Sequence, residues 1–129
     1  MKECGILNNN KIMLAYGFKP EEKLLLDGFV EEKKIPGYKV VSDEMSEMKI
    51  GDIFEGYKFD VYSGTLPDEK VVIFNNFNDS EIDIAIKCLK EISKGIIMAV
   101  ATPTSINWTF DYLIHHLIEE RQWYKSNKV

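Results

Sequence analysis

The sequence lacks several features that mark whole classes of protein. Cysteine is scarce: only Cys4 and Cys88 occur among 129 residues, and they form neither a zinc-ligand spacing nor a Cys-x-x-Cys redox motif. No apolar run approaches the roughly 20 residues of a membrane-spanning helix. The first ten residues carry Lys2 and Glu3 but no apolar core of a signal peptide. We therefore expect a cytoplasmic protein with two free thiols rather than a disulfide.

An excess of basic residues is also missing. The chain has 21 acidic and 16 basic residues, for a net charge of −5. Proteins that bind nucleic acid normally present a basic face, because neutralising phosphates supplies much of their affinity. Here the basic residues alternate with acidic ones, as in Glu31–Lys34, which is typical of a solvated helix face. The charge pattern predicts no nucleic-acid partner and no membrane partner.

Motifs that carry chemistry are absent as well. No glycine-rich phosphate loop occurs, and no serine or cysteine stands in a nucleophile elbow. His115 and His116 are adjacent, so on a helix they point about 100° apart and cannot form the i, i+4 pair of a zinc site. We expect no metal site and no cofactor.

What the sequence does contain is an alternation of apolar strands with amphipathic helices. Hydrophobic residues make up 45% of the chain, enough for the core of one domain of this length. The order β-α-β-α-β-α-β-α predicts a single α/β domain over residues 1–129 with a mainly parallel four-stranded sheet. The last strand carries no charge, which favours a central position. The predicted strands are 12–16, 38–41, 71–74 and 96–101; the predicted helices are 20–34, 45–54, 79–94 and 106–120, the second interrupted or ended near Gly51. Leu25 and Leu26 belong to the predicted apolar stripe of the first helix, and the Asp79-Ser80 pair is expected to cap the third. The stretch from 55 to 70 is predicted as a connecting loop with one extended edge segment.

An internal repeat underlies this alternation. An offset of 59 positions places the segment Lys11–Leu14 on Lys70–Ile73, and Ser46 on Ser105, without a gap. The apolar positions of the first and third predicted helices also coincide at this offset. We interpret the chain as a degenerate tandem duplication of a βαβα unit. The pseudo-repeats span about residues 11–55 and 70–114.

The most unusual stretch follows the fourth predicted strand, where ligands of α/β sheets commonly bind. In one interpretation, the hydroxyls of Thr102, Thr104 and Ser105 hold an anionic or polar ligand together with the Asn107 amide, and Trp108 packs over it. In the other, Ser105 or Asn107 caps the last helix and Trp108 covers the junction. The second interpretation is favoured, because every strand-to-helix turn needs a cap and few bind a ligand.

Two aromatic residues lie beyond the last strongly apolar turn. Trp123 and Tyr124 stand in a charged segment, where large aromatic side chains are costly to leave in water. They either fold back onto the domain or anchor a partner protein or a second copy of the chain.

Three functions follow from these observations, in order of preference. The first is a non-catalytic regulatory or interaction module that works through protein contacts, with a homodimer as one form. The second is a small-ligand or anion-binding domain that uses the turn from Thr102 to Trp108. The third is an enzyme with Asp43, Glu44 or Asp79 as acid or base.

The second half of the chain resembles a known family. The run from Met98 to Ala101 followed by Thr-Pro-Thr-Ser-Ile-Asn-Trp-Thr resembles the bacterial family called domain of unknown function 3783. The strand from Val71 to Phe77 followed by Asp-Ser-Glu resembles that family's opening segment. The resemblance covers roughly residues 70–121, implies an α/β fold and brings no activity. Since Asp43 stands where Thr102 stands in the second half, a site on this turn is expected once.

Overall fold

The apolar runs of the sequence form four strands in a computed structural model that describes residues 11–55 and 66–127. The predicted alternation of strands and helices is confirmed, while most of the stretch from 55 to 70, predicted as a loop with one extended segment, lies outside the described residues. The strands are β1 (Ile12–Tyr16), β2 (Tyr38–Val41), β3 (Val71–Asn75) and β4 (Ile97–Val100). The helices are α1 (Pro20–Lys33), α2 (Ile50–Glu55), α3 (Asp79–Ile92) and α4 (Phe110–Asn127), with 3₁₀ turns at Asp43–Met45 and Ser105–Asn107.

The sheet is mixed, and the expectation of a mainly parallel sheet is wrong. Its strand order is β2-β1-β3-β4. β1 is parallel to β2, and β3 is parallel to β4. The two central strands, β1 and β3, are antiparallel. A helical crossover makes the two strands of one βαβ unit parallel, but it does not determine how two such units meet.

The prediction of a central position for the fourth strand is also wrong. β4 is at the end of the strand order, and Val100 is 51% exposed. A strand of four uncharged residues suits an edge as well as a centre. The central positions belong to β1 and β3, and all five residues of β3 are buried.

The chain divides into two compact units; the expectation of one domain stays a prediction. The first unit holds residues 11–41 and 69–101 of the described chain and contains the four-stranded sheet with α1 and α3. Leu26 of α1 is fully buried, but Leu25, predicted to share its apolar stripe, is 51% exposed. The buried core residues of this unit include Met13, Ala15, Phe18, Leu26, Ile35, Val72, Phe74, Ala85 and Leu89.

Both long helices of the first unit begin with the same hydrogen bond from a backbone N–H to a glutamate three residues later. The backbone N–H of Lys19 donates to Glu22 Oε1 at 2.8 Å, and that of Asn78 donates to Glu81 Oε1 at 2.8 Å. The Asn78 side chain in turn accepts from the Glu81 N–H, so the cap of α3 is Asn78 and not the predicted Asp79-Ser80 pair. The Asn78 N–H and the nearby Lys11 ammonium lower the pKa of Glu81.

The second unit holds residues 42–55, 66–68 and 102–127 of the described chain. An antiparallel bridge between Lys49 and Thr109 joins two of its segments. The Ile50 N–H donates to the Trp108 carbonyl at 2.9 Å, and the Phe110 N–H donates to the Met48 carbonyl at 2.9 Å. These bonds set the start of α2 beside the start of α4. The buried apolar side chains here include Ile50, Ile53, Phe54, Phe110, Leu113 and Ile114.

None of the helices in the described part of the chain combines the length and the apolar character that crossing a membrane requires.

Candidate functional site

The predicted ligand turn after β4 is organised by two side chains that cap each other. The Thr102 N–H donates to Ser105 Oγ at 2.9 Å, and the Ser105 N–H donates to Thr102 Oγ1 at 2.9 Å. Ser105 is buried. Both hydroxyls therefore satisfy backbone groups of the turn itself, as capping side chains do.

Thr104 and Asn107 are the other two polar residues of the turn. The Asn107 side chain donates weakly to the Pro103 carbonyl at 3.4 Å, and its backbone N–H donates to the Thr104 carbonyl at 3.2 Å. Thr104 is exposed. The turn thus brings the predicted residues together, with two of its four polar side chains committed to capping. A ligand role for Thr102, Thr104, Ser105 and Asn107 stays a prediction.

Trp108 is half-buried and packs against α4. Its ring centroid lies 4.8 Å from that of Tyr112 and 5.2 Å from that of His116, both edge to face. The cap of α4 is provided by Thr109, whose Oγ1 accepts from the Tyr112 N–H at 3.1 Å. The expectation that Ser105 or Asn107 caps the last helix is therefore wrong, because the 3₁₀ turn that contains both residues ends before α4 begins.

α4 carries a row of aromatic side chains that reach solvent. Tyr112, His116 and Trp123 are spaced by four and seven residues, which places them within about 40° of one another around the helix. Tyr112 is 54% exposed, Trp123 60% and Tyr124 67%. The rings of Trp123 and Tyr124 form an edge-to-face pair at 5.2 Å. We call these four residues the aromatic face of α4.

The sequence predicts only half of this face. Trp123 and Tyr124 stand out by their charged surroundings, and the exposure of both agrees with side chains that do not fold back. The adjacent histidines His115 and His116 are predicted to lie at a surface or interface, but sequence reasoning did not group His116 or Tyr112 with Trp123 and Tyr124. The signal that could have found them is the spacing of four that relates Trp108, Tyr112 and His116.

The charges next to Trp123 are acidic. Glu119 and Glu120 lie between His116 and Trp123 and are exposed. His116 Nε2 lies 3.5 Å from Glu120 Oε2. Arg121 and Lys125 are each two positions from Trp123, roughly 160° around the helix from it. The backbone positions of these two basic residues thus lie on the side of α4 opposite Trp123, while Arg121 precedes Tyr124 by one helical turn.

The groups considered for catalysis are exposed. Asp43 and Glu44 lie on the exposed 3₁₀ turn after β2, and Asp79 is exposed at the start of α3. Within residues 11–55 and 66–127, no three histidine, cysteine or acidic side chains are grouped as metal ligands would be. Cys88 is a buried free thiol of α3, and burial, aided by Glu91, raises its pKa. A buried thiol with a raised pKa is a poor nucleophile.

Comparison with known families agrees with the resemblance seen in the sequence. Residues 70–124 match the family model described as Domain of unknown function (DUF3783). The match contains the turn after β4 and extends to Trp123 and Tyr124. No curated protein and no solved structure matches the chain.

Proposed function

We propose that the protein, whose residues 70–124 match the DUF3783 family model, is a non-catalytic interaction module. It binds another protein through the aromatic face of α4, which lies within the matched segment. The observation that carries the proposal is the exposure of Trp123 and Tyr124, 60% and 67%, on a regular helix. Exposed tryptophan and tyrosine side chains are typical of binding surfaces, where they become the residues that dominate affinity.

The turn after β4 supports this function indirectly. Its Thr102 and Ser105 hydroxyls are used within the turn, which leaves less polar capacity for a ligand than the sequence suggests. The same turn leads into Trp108, whose ring contacts Tyr112 and His116. These contacts restrict the rotamers of Tyr112 and His116 in the free protein. Binding a partner therefore costs less side-chain entropy.

The proposal is tested by selecting peptides from a random displayed library on the full-length chain. We expect enriched peptides to bind in solution and to lose about tenfold or more in affinity when Trp123 and Tyr124 are both changed to alanine. The matched control is the double variant Leu24→Ala and Leu25→Ala, which removes the exposed apolar pair on α1. Peptides that bind the Trp123/Tyr124 variant as well as the wild type would refute the function.

We also propose that the chain arose by tandem duplication of a βαβα unit, and the element boundaries support this. The offset of 59 positions maps both ends of β1 onto β3, both ends of α1 onto α3 and both ends of β2 onto β4. Gly17 and Asn76, which are related by this offset, share a positive φ, at 88° and 64°. Residues other than glycine uncommonly adopt a positive φ, although asparagine does so more often than most, so the shared geometry at this position supports the duplication.

Two ion pairs give the duplication further support. Lys11 Nζ lies 3.2 Å from Glu81 Oε1, and Lys70 Nζ lies 3.6 Å from Glu22 Oε2. The offset exchanges these pairs: Lys11 corresponds to Lys70, and Glu22 corresponds to Glu81. Each half thus supplies the lysine for one pair and the glutamate for the other, as expected of a repeat with approximate two-fold symmetry.

We propose a cytoplasmic location for this function. The buried free thiol of Cys88 is the support, since reduced cysteines are normal in reducing compartments.

A further inference from the structure

We infer that the partner bound by the aromatic face of α4 is a cationic, arginine-bearing protein segment. The inference rests on the proposed function and names the chemistry of the partner. The aromatic face combines two features that together recognise arginine: exposed aromatic rings and carboxylates next to them.

The rings are the first feature. Trp123 and Tyr124 are both mostly exposed and lie next to each other on α4. A guanidinium group stacks on an indole or phenol ring and is attracted by its negative face. It sheds water more readily than an ammonium group does, so arginine is preferred to lysine at such a surface.

The carboxylates are the second feature. Glu119 lies one helical turn before Trp123, and Glu120 lies one turn before Tyr124. Both glutamates are exposed. By helix geometry Arg121 and Lys125 are each about 160° around the helix from Trp123, whereas Arg121 lies one turn before Tyr124. The ring flanked by the glutamates is therefore that of Trp123. A guanidinium on this ring is therefore within reach of a carboxylate, with which it forms a charge-assisted hydrogen bond.

The same charges disfavour a second copy of the chain as the occupant. In a two-fold dimer through this face, the same surface meets itself. Glu119 and Glu120 of both copies would then lie in one interface with the aromatic residues, and like charges brought together in an interface oppose association. The net charge of −5 adds to this repulsion over longer distances.

The test measures binding of defined peptides to the full-length chain by calorimetry. The probes are a short peptide of alternating arginine and alanine, the same peptide with lysine, and the same peptide with glutamate. We expect the arginine peptide to bind most tightly, the lysine peptide more weakly and the glutamate peptide not at all. Affinity should fall about tenfold in the variant with Trp123→Ala and Tyr124→Ala, and several-fold between low and high salt.

Charge variants separate this face from a general attraction to an acidic protein. Glu119→Gln with Glu120→Gln should weaken the arginine peptide about fivefold. Glu31→Gln with Glu32→Gln makes the same change in net charge on α1, where Glu32 is exposed, and should leave the affinity within about twofold. Equal losses in the two charge variants would overturn the inference.

The remaining outcomes distinguish this inference from the proposed function. In one outcome, library peptides require Trp123 and Tyr124 but are not basic, and the arginine peptide binds no better than the glutamate peptide. The inference of a cationic partner is then wrong, while the proposed interaction module is supported. If sedimentation shows a dimer that Trp123→Ala dissociates, the occupant is a second copy and the inference is overturned. If no peptide loses affinity when Trp123 and Tyr124 are changed to alanine, both proposals are wrong.

Discussion

Leu14 of β1 lies directly opposite Ile73 of β3 in the antiparallel centre of the sheet, and the two residues are 59 positions apart, which is the offset of the proposed repeat. The pairs on either side follow the same symmetry. Ile12 lies opposite Asn75, and Tyr16 lies opposite Val71; the offset exchanges one of these pairs for the other. This register is the one that a two-fold axis between Leu14 and Ile73 would produce. Matched substitutions in the two halves should therefore have matched effects.

The first prediction concerns the glutamates that cap α1 and α3. Glu22→Ala and Glu81→Ala each remove a 2.8 Å hydrogen bond at the start of a helix. Each also removes one ion pair, with Lys70 for Glu22 and with Lys11 for Glu81. We expect each change to lower the free energy of unfolding by about 1 kcal/mol, and the two losses to agree within about 0.5 kcal/mol. Urea denaturation measures both, with Glu32→Ala as an exposed control. Losses that differ by severalfold would contradict the equivalence of the two helix starts.

A second prediction compares Ser46 with Ser105, which the offset relates. Ser46 is 2% exposed and its hydroxyl has no hydrogen-bond partner among the described residues, whereas the Ser105 hydroxyl accepts from the Thr102 N–H. Ser46→Ala should leave stability unchanged or raise it by up to about 1 kcal/mol, since an unsatisfied buried hydroxyl is lost. Ser105→Ala should lower stability by about 1 kcal/mol. Thermal and urea unfolding of the two variants distinguish them, and a larger loss for Ser46→Ala would contradict the prediction.

The turn after β1 provides a third prediction. Gly17 has φ of 88°, and a Cβ placed there would overlap the backbone carbonyl of Glu69. Gly17→Ala should therefore lower the free energy of unfolding by about 2 kcal/mol or more, because both the backbone conformation and the available space oppose a side chain. Gly28 lies inside α1, and a Cβ added there would meet nothing within 4 Å. Gly28→Ala should raise stability by up to about 1 kcal/mol. Urea denaturation of the two variants should thus give changes of opposite sign.

The fourth prediction concerns stability at high pH. The Tyr38 hydroxyl donates to Asp27 Oδ1 at 2.6 Å, and burial together with this carboxylate raises the pKa of Tyr38 from 10.0 to about 12. A raised folded-state pKa means that the protonated phenol favours the folded state. Its contribution is complete below the unfolded pKa and is lost as pH rises from 10.0 to about 12.

Tyr38→Phe tests this contribution. The variant should be less stable than the wild type at about pH 8 by roughly 1 kcal/mol, and the difference should shrink as pH rises through the folded pKa. Urea denaturation across the alkaline range measures both proteins under the same conditions, so the other tyrosines cancel from the comparison. A difference that stays constant with pH would show that the phenol does not ionise differently in the folded and unfolded states.

Local features of the fold are predictable because they depend on neighbouring residues. Apolar runs mark β1 and β3, Pro20 suits the first turn of α1, and the spacing of apolar residues marks α3. The cap of α3 is one residue from its predicted place, since asparagine, aspartate and serine all cap well and only the hydrogen bond from the Glu81 N–H selects Asn78. The cap of α4 differs for the same reason: Thr109 provides it, rather than the predicted serine or asparagine of the preceding turn.

The candidate surface is predictable only in part. Charged neighbours make Trp123 and Tyr124 conspicuous, but exposure depends on which side of α4 packs on the rest of its unit. Leu113 and Ile114 take the buried side, and this leaves Tyr112 outside with the two aromatic residues further along the helix. The spacing of four that relates Tyr112 to Trp108 and His116 indicates which residues share one side of the helix, but not whether that side is covered by the rest of the unit.

The sequence by itself determined the alternation of strands and helices and the resemblance to one family, because each is carried by residue type and spacing along the chain. It also suggested the offset of 59 positions on which the proposed duplication rests. Only the tertiary structure decided that β1 and β3 meet antiparallel, that β4 is an edge strand and that Trp123 and Tyr124 stay exposed. These outcomes depend on contacts between distant segments, whose free energy is not encoded in any single window of the sequence.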